Sequence, residues 1–307
     1  MNPFLTQAST MAGPVDGLLL GLLAVCGGIA ALVCALIVYF AVKYREGAQV
    51  DRTGAQGALW MEILWTAAPL VVGLGLFAWG AELYVREARA PADALEIHVI
   101  AKQWMWKFYH PGGQREINEL HVPVGRPVRL SLTSEDVIHS FFVPAFRVKN
   151  DVIPGRYTGL WFEANQPGTF HLFCAQYCGA QHSGMIGTVV AEEPARWASW
   201  LAERPGEPPA RAGERAFARL GCAACHLPDG SGRGPSMIGL AGRTVKLAGG
   251  GTAVADRTYL RESIVNPTAR LVAGYEPVMP TYQGQVSEEE LDALVTFLEG
   301  LRAPEPR

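Results

Sequence analysis

Between Thr169 and Met185 the chain reads Thr-Phe-His-Leu-Phe-Cys-Ala-Gln-Tyr-Cys-Gly-Ala-Gln-His-Ser-Gly-Met, so Cys174, Cys178, His182 and Met185 share one short stretch leading out of a strand-like run. Two thiolates, an imidazole and a thioether form a soft donor set that selects copper or zinc over hard, oxygen-seeking cations. Cys-x-x-x-Cys-x-x-x-His by itself leaves zinc and a disulfide open. Two features favour copper. Met185 is the weak axial donor that copper sites use, and His139, set between strand-like runs upstream, offers a second imidazole. Two sulfurs can then bridge a pair of coppers with one imidazole on each, a rigid core that changes little on gaining an electron. His121 and His171 are competing imidazoles; His121 reads as solvent-facing and His171 as a strand residue.

A second motif, Cys222-Ala-Ala-Cys225-His226, has the spacing for covalent haem c. The thiols add to the two vinyl groups, and the adjacent imidazole binds iron from one side. A thioredoxin-like dithiol and half a zinc site use related spacings, but the immediate histidine and the helical framing favour haem. Met237 follows His226 too closely to reach the other face easily; Met279, after a proline-containing loop and before the closing helix, is the better sixth ligand. A His/Met pair suits electron transfer over oxygen binding.

The elements that must position these residues change along the 307-residue chain. Gly17 to Val42 holds no charge, and a second uncharged run, Ile63 to Ala81, lies between Glu62 and Glu82. Each is long enough to cross a hydrocarbon core of about 30 Å. They predict a helical hairpin with spans at about 15–42 and 60–84. Lys43, Arg45 and Arg52 place residues 43–57 in the cytoplasm and both termini outside. No basic region precedes the first run, which argues against a cleaved signal peptide. From Leu95, period-two alternation appears at 97/99/101, 104/106/108, 120/122/124 and 128/130/132, broken by Pro- and Gly-rich turns. That texture predicts a small β-sandwich or barrel, of cupredoxin type if His139 is to meet the cysteine loop. Glu203 to Arg211 reads as an extended, semi-rigid proline-rich linker. Beyond it, Ser287 with Glu290 forms a capping box, and Leu291, Leu294, Val295, Leu298 and Leu301 mark a closing helix. The expected organisation is therefore tail and hairpin over 1–91, β domain over 92–202, linker over 203–212 and a small all-α domain over 213–307.

In the aromatic run Gln103-Trp-Met-Trp-Lys-Phe-Tyr109, Trp106 and Phe108 read as core and Trp104 as an electron doorway beside copper. Glu62 is either a plain helix-end charge or a carboxylate feeding protons to a partner. A net charge of −3 points away from nucleic acid.

Two spans, a β domain with His139, and Cys174-x-x-x-Cys178-x-x-x-His182-x-x-Met185 resemble subunit II of the haem-copper cytochrome c oxidases. Glu62-Ile-Leu-Trp-Thr-Ala-Ala-Pro69, Gln103-Trp-Met-Trp106, Asp136-Val-Ile-His139-Ser and Ile153-Pro-Gly-Arg156 carry the likeness over residues 15–200. Residues 213–302 resemble a class I cytochrome c, a fusion seen in bacterial oxidases. The resemblance implies a dinuclear CuA centre held by His139, Cys174, Cys178, His182 and Met185, with the main-chain carbonyl of Gln176 as a further contact. It implies Trp104 as the residue where electrons come in, and Glu62 at the mouth of a proton path into subunit I. Relatives often carry Glu in place of Gln176, where the carboxylate helps bind an interface magnesium; the glutamine puts that magnesium in doubt here. The implied partners are subunits I and III, a lipid bilayer, and an external donor such as another cytochrome c or a cytochrome bc complex. The implied location is the bacterial plasma membrane, multi-pass, with both redox domains periplasmic. The implied activity is electron input to an oxidase that reduces dioxygen and pumps protons in subunit I. A donor subunit for nitric oxide or nitrous oxide reduction and a non-enzymatic membrane-bound shuttle are the rival readings.

Overall fold

The computed structural model describes residues 6–50 and 58–301. Arg52, part of the orientation reading, lies outside the described residues. The chain forms two compact units, Thr10–Arg89 and a second made of Met1–Ser9 with Ala90–Arg307.

The first unit is two helices, α1 (Ala12–Lys43) and α2 (Leu59–Ala88). At 1.5 Å rise per residue, 32 and 30 residues exceed the thickness of a hydrocarbon core. Leu20, Ile37, Val38, Trp65, Val71 and Phe77 are exposed on these helices. Side chains of this kind are stable there in lipid rather than water.

In the second unit, residues 95–192 build two five-stranded sheets. One has the order β3-β2-β1-β5-β8, from β1 (Leu95–Lys102), β2 (Met105–Tyr109), β3 (Arg115–Ile117), β5 (Val128–Ser134) and β8 (Thr158–Phe162). The other has the order β4-β10-β9-β6-β7, from β4 (Glu119–Pro123), β6 (His139–Val143), β7 (Val148–Val152), β9 (Gly168–Cys174) and β10 (Ile186–Glu192). Ile97, Val99, Trp106, Phe108, Leu130, Leu132, Phe141, Phe162 and Leu172 are fully buried between them. Each contributes about 1.5–3 kcal/mol of apolar burial, so the predicted period-two faces become one cupredoxin-like core. β6 pairs antiparallel with β9, Phe141 opposite Cys174. That register carries His139 alongside the residues that follow Cys174.

Helix α3 (Pro194–Glu203) follows the sandwich, and α4 (Pro209–Arg219), α5 (Arg257–Val265) and α6 (Glu288–Gly300), with the hairpin β11 (Thr244–Lys246) and β12 (Thr252–Val254), form the C-terminal cytochrome c domain. Residues 209–212, expected in an extended linker, instead make the first turn of α4, where a proline at the first position costs no hydrogen bond. Ser287 and Glu290 form the predicted capping box on α6, and Leu291, Leu294, Val295 and Leu298 are buried. Phe217 of α4 meets Phe297 of α6 at 5.5 Å between ring centroids.

Candidate functional site

The loop between β9 and β10, together with His139 of β6, gathers four donors around two sulfurs. Cys174 Sγ lies 3.8 Å from Cys178 Sγ, 3.9 Å from His139 Nδ1 and 3.2 Å from the Gln176 carbonyl oxygen. Cys178 Sγ lies 3.4 Å from His182 Nδ1 and 3.9 Å from Met185 Sδ. His139, Cys174, Cys178 and Met185 are buried, and His182 is half-buried. A disulfide needs sulfurs about 2.05 Å apart; these two are free thiols at nearly twice that separation. Their spacing suits a shared cation instead.

Electrostatics agree. Burial raises both thiols, but at Cys174 the hydrogen bonds to His139, to the Ser140 and Gln176 backbone and to Cys178 together outweigh it and bring that thiol down. At Cys178, burial and the charge on Cys174 both push the thiol up. One thiolate is therefore easy to form and the second is resisted by the first, a conflict that bound metal cations remove. His139 is aimed by Asp136, whose Oδ1 accepts from Nε2 at 2.8 Å and leaves Nδ1 facing Cys174. Burial alone raises the Asp136 carboxyl; the backbone N–H of Gln103, His139 and the N–H of Val137 hold it below its ordinary value.

Trp104 sits half-buried against this loop and donates from Nε1 to the Cys178 carbonyl at 3.2 Å, beside Gln103 Nε2 at 2.8 Å. Trp106 and Phe108 are core, and Trp106 also meets the His139 ring at 6.2 Å. Glu62 lies in the first turn of α2 with an exposed side chain.

His121 departs from its solvent-facing expectation. It is 7% exposed and stacks on Trp200 of α3 at 4.6 Å. Glu116 accepts from His121 Nδ1 at 2.5 Å and from the fully buried His110 Nε2 at 2.8 Å. Burial alone raises Glu116, but the two imidazoles hold it low. His121 is a satisfied core imidazole remote in role from the sulfur loop, while His171 is an exposed residue of β9, as its strand reading has it.

The second site is a cavity of about 1170 Å³, counting its open mouth, lined by Cys222, Cys225, His226, Met237 and Met279 among apolar side chains including Leu220, Ile264, Leu294 and Leu298. Its size, apolar walls and two free thiols fit a covalently held haem. His226 Nδ1 donates to the Pro235 carbonyl at 2.8 Å, which fixes the ring and leaves Nε2 for iron. A Cβ at Gly234 comes within 2.5 Å of that imidazole, so only glycine admits the ring in this position. Both methionines line the cavity, so the choice between them rests on the sequence order.

Residues 113–192 match the family described as cytochrome C oxidase subunit II, periplasmic domain, and residues 208–298 match cytochrome C oxidase, cbb3-type, subunit III. The cytochrome c oxidase subunit 2 of Alkalihalophilus pseudofirmus is 30% identical over 294 residues, 90% of this chain and 84% of that protein. The cytochrome c oxidase subunit 2 of Synechocystis sp. is 29% identical over 250 residues, 66% of this chain and 75% of that one. The solved periplasmic domain of subunit II of cytochrome oxidase from Bradyrhizobium japonicum is 34% identical, covers 38% of this chain and 96% of its own, and superposes with a TM-score of 0.37.

Proposed function

Because this chain belongs to the cytochrome c oxidase subunit 2 family, we propose that it takes electrons in at a haem c on Cys222, Cys225 and His226, passes them to a dinuclear CuA centre and delivers them to subunit I. It is a membrane-anchored electron-input subunit with a periplasmic domain. Dioxygen reduction and proton pumping belong, in this reading, to subunit I. The observation that supports the reading most is the convergence of two sulfurs, two imidazoles, a thioether and a carbonyl within 3.2–3.9 Å steps.

When bound, the copper pair and the haem supply one-electron carriers that reorganise little. The rest is the work of named side chains. His139, Cys174, Cys178, His182, Met185 and the Gln176 carbonyl hold the coppers. Asp136 locks the His139 tautomer, and burial of the sulfurs keeps water away from them. His226 and Met279 would hold the haem iron, a donor pair that suits electron transfer over oxygen binding. Trp104 bridges from the surface to the Cys178 backbone and serves as the doorway for electrons entering the copper centre. Glu62 heads a proton path into subunit I, and Gln176 leaves an interface magnesium without its usual carboxylate. Both spans cross the bacterial plasma membrane with the redox domains periplasmic, packed against subunits I and III. Another cytochrome c or a cytochrome bc complex is the donor.

Copper and haem content per chain, with an electron paramagnetic resonance spectrum, tests the reading. We expect two coppers with a mixed-valence signal and one covalent haem. A single zinc, or a cystine between Cys174 and Cys178, sinks it.

A further inference from the structure

The cytochrome domain and the sandwich meet through charged side chains that are taken out of water. Asp292 of α6 is 4% exposed and His98 of β1 is 7% exposed. His98 Nδ1 donates to Asp292 Oδ2 at 2.7 Å, and Arg257 of α5 donates to Asp292 Oδ1 at 2.8 Å. The Arg257 guanidinium lies over the Tyr157 ring of the sandwich at 4.7 Å and also pairs with Glu299. One turn away, Glu289 accepts from Lys107 Nζ at 2.6 Å and from Tyr109 Oη at 3.1 Å. Burial alone raises the Asp292 carboxyl, but His98 and Arg257 outweigh it and hold the group ionised.

The placement follows from the helices. Glu288, Asp292, Thr296 and Glu299 recur at intervals of four, four and three, one face of α6. Leu294 and Leu298 line the haem cavity from another face of the same helix. α5 divides similarly, with Arg257 and Thr258 toward the sandwich and Leu260 and Ile264 toward the cavity. A separate contact holds the connection between the domains. A Cβ at Gly206 comes within 1.9 Å of the Gly113 carbonyl oxygen, so the linker backbone lies directly on the β2–β3 turn.

We propose that the cytochrome domain works from a fixed seat on the sandwich, with Asp292, Arg257 and Glu289 clasped by His98, Tyr157, Lys107 and Tyr109 as positioning residues. Electrons then pass from haem to copper within that seat, with no swing of the domain on its linker. Removing partners from a buried charge is far costlier than losing a surface pair, which is why this contact positions a domain where exposed ion pairs do not. The inference rests on the electron-input reading for its consequence, and the protease arm of the test probes the seat without metal signals.

The test uses the full chain in its oxidase complex. In the wild type, flash reduction of the haem followed by copper absorption is expected to give a transfer rate that does not change with solvent viscosity. A glutamate-specific protease is expected to cut slowly after Glu203, at the start of the linker. The sandwich-side variant His98→Leu/Lys107→Met keeps the Arg257–Asp292 pair within the cytochrome domain. In it, cleavage should rise by roughly a hundredfold, the order that unpairing a buried charge implies when proteolysis follows the open population, and transfer should become viscosity-dependent. Haem absorption and the copper signal should persist. A viscosity-dependent wild-type rate, or a folded variant with unchanged cleavage and transfer, overturns the seat; if the variant does not fold, the wild-type viscosity series decides alone. A wild type lacking copper or haem signals yet resistant to the protease overturns the electron-input reading and leaves the seat standing.

Discussion

The copper loop and the haem cavity solve one problem in opposite ways. In the loop, donor atoms stand 3.2–3.9 Å from the sulfurs they surround, and a half-buried carboxylate already sets the tautomer of His139. In the cytochrome domain the donors line a cavity of about 1170 Å³, and two methionines border it. The difference teaches where rigidity comes from. Bare metal ions bring no framework, so the protein must hold every ligand in place. A haem brings a rigid ring, so the protein needs only apolar walls, two thiols and one oriented imidazole.

The comparison breaks most sharply at the bridging sulfurs. Cys178→Ala should abolish the mixed-valence copper resonance and leave haem c absorption unchanged, because the two donor sets share no residue. Loss of both signals would show one folding dependence instead. Asp136→Asn tests whether the pre-set tautomer matters: copper affinity should fall about 10–100-fold, the usual cost of an outer-shell partner, measured by competition with a chelator. On the haem side, Met279→Leu should keep the covalent haem and lower its potential by on the order of 0.1 V, within the range axial ligands command. An unchanged potential assigns the role to Met237. Trp104→Ala should slow electron transfer into copper without loss of metal, and normal transfer removes its doorway role.

Acid gives the smallest effect, and its sign follows from Asp292. The carboxylate is held below its ordinary value in the folded chain, facing His98 of β1, Arg257 of α5 and Glu299 of its own helix. Its contribution is complete above the ordinary carboxylate range and is lost as pH falls through the lowered folded value. Protease resistance of the linker should therefore decline as pH falls below the ordinary carboxylate value of about 4.

The copper loop was legible because four of its donors lie within twelve consecutive positions, 174 to 185, and His139 stands out between strands. The capping box on α6 was legible for the same reason: its signal is local. His121 was misread because its partner, Glu116, reaches it only through the pairing of β3 with the sheet and the cover of Trp200. The first turn of α4 was hidden by prolines that read as a linker, although Pro209 at a helix start is favourable. The domain contact left a fainter trace. His98 and Asp292 are 194 positions apart, and no local pattern joins them. The available signal was Asp292 itself, an acid within the apolar series 291/294/295/298, on a second face with Glu288 and Glu299.

Helix α6 is a party wall, with the haem cavity behind Leu294 and Leu298 and the sandwich against Asp292 and Glu289. A change in side-chain bulk on the cavity side tilts the wall and shifts the acids on the other. Substitutions on its two faces are therefore coupled, and an engineer reshaping the cavity also acts on the contact with the sandwich.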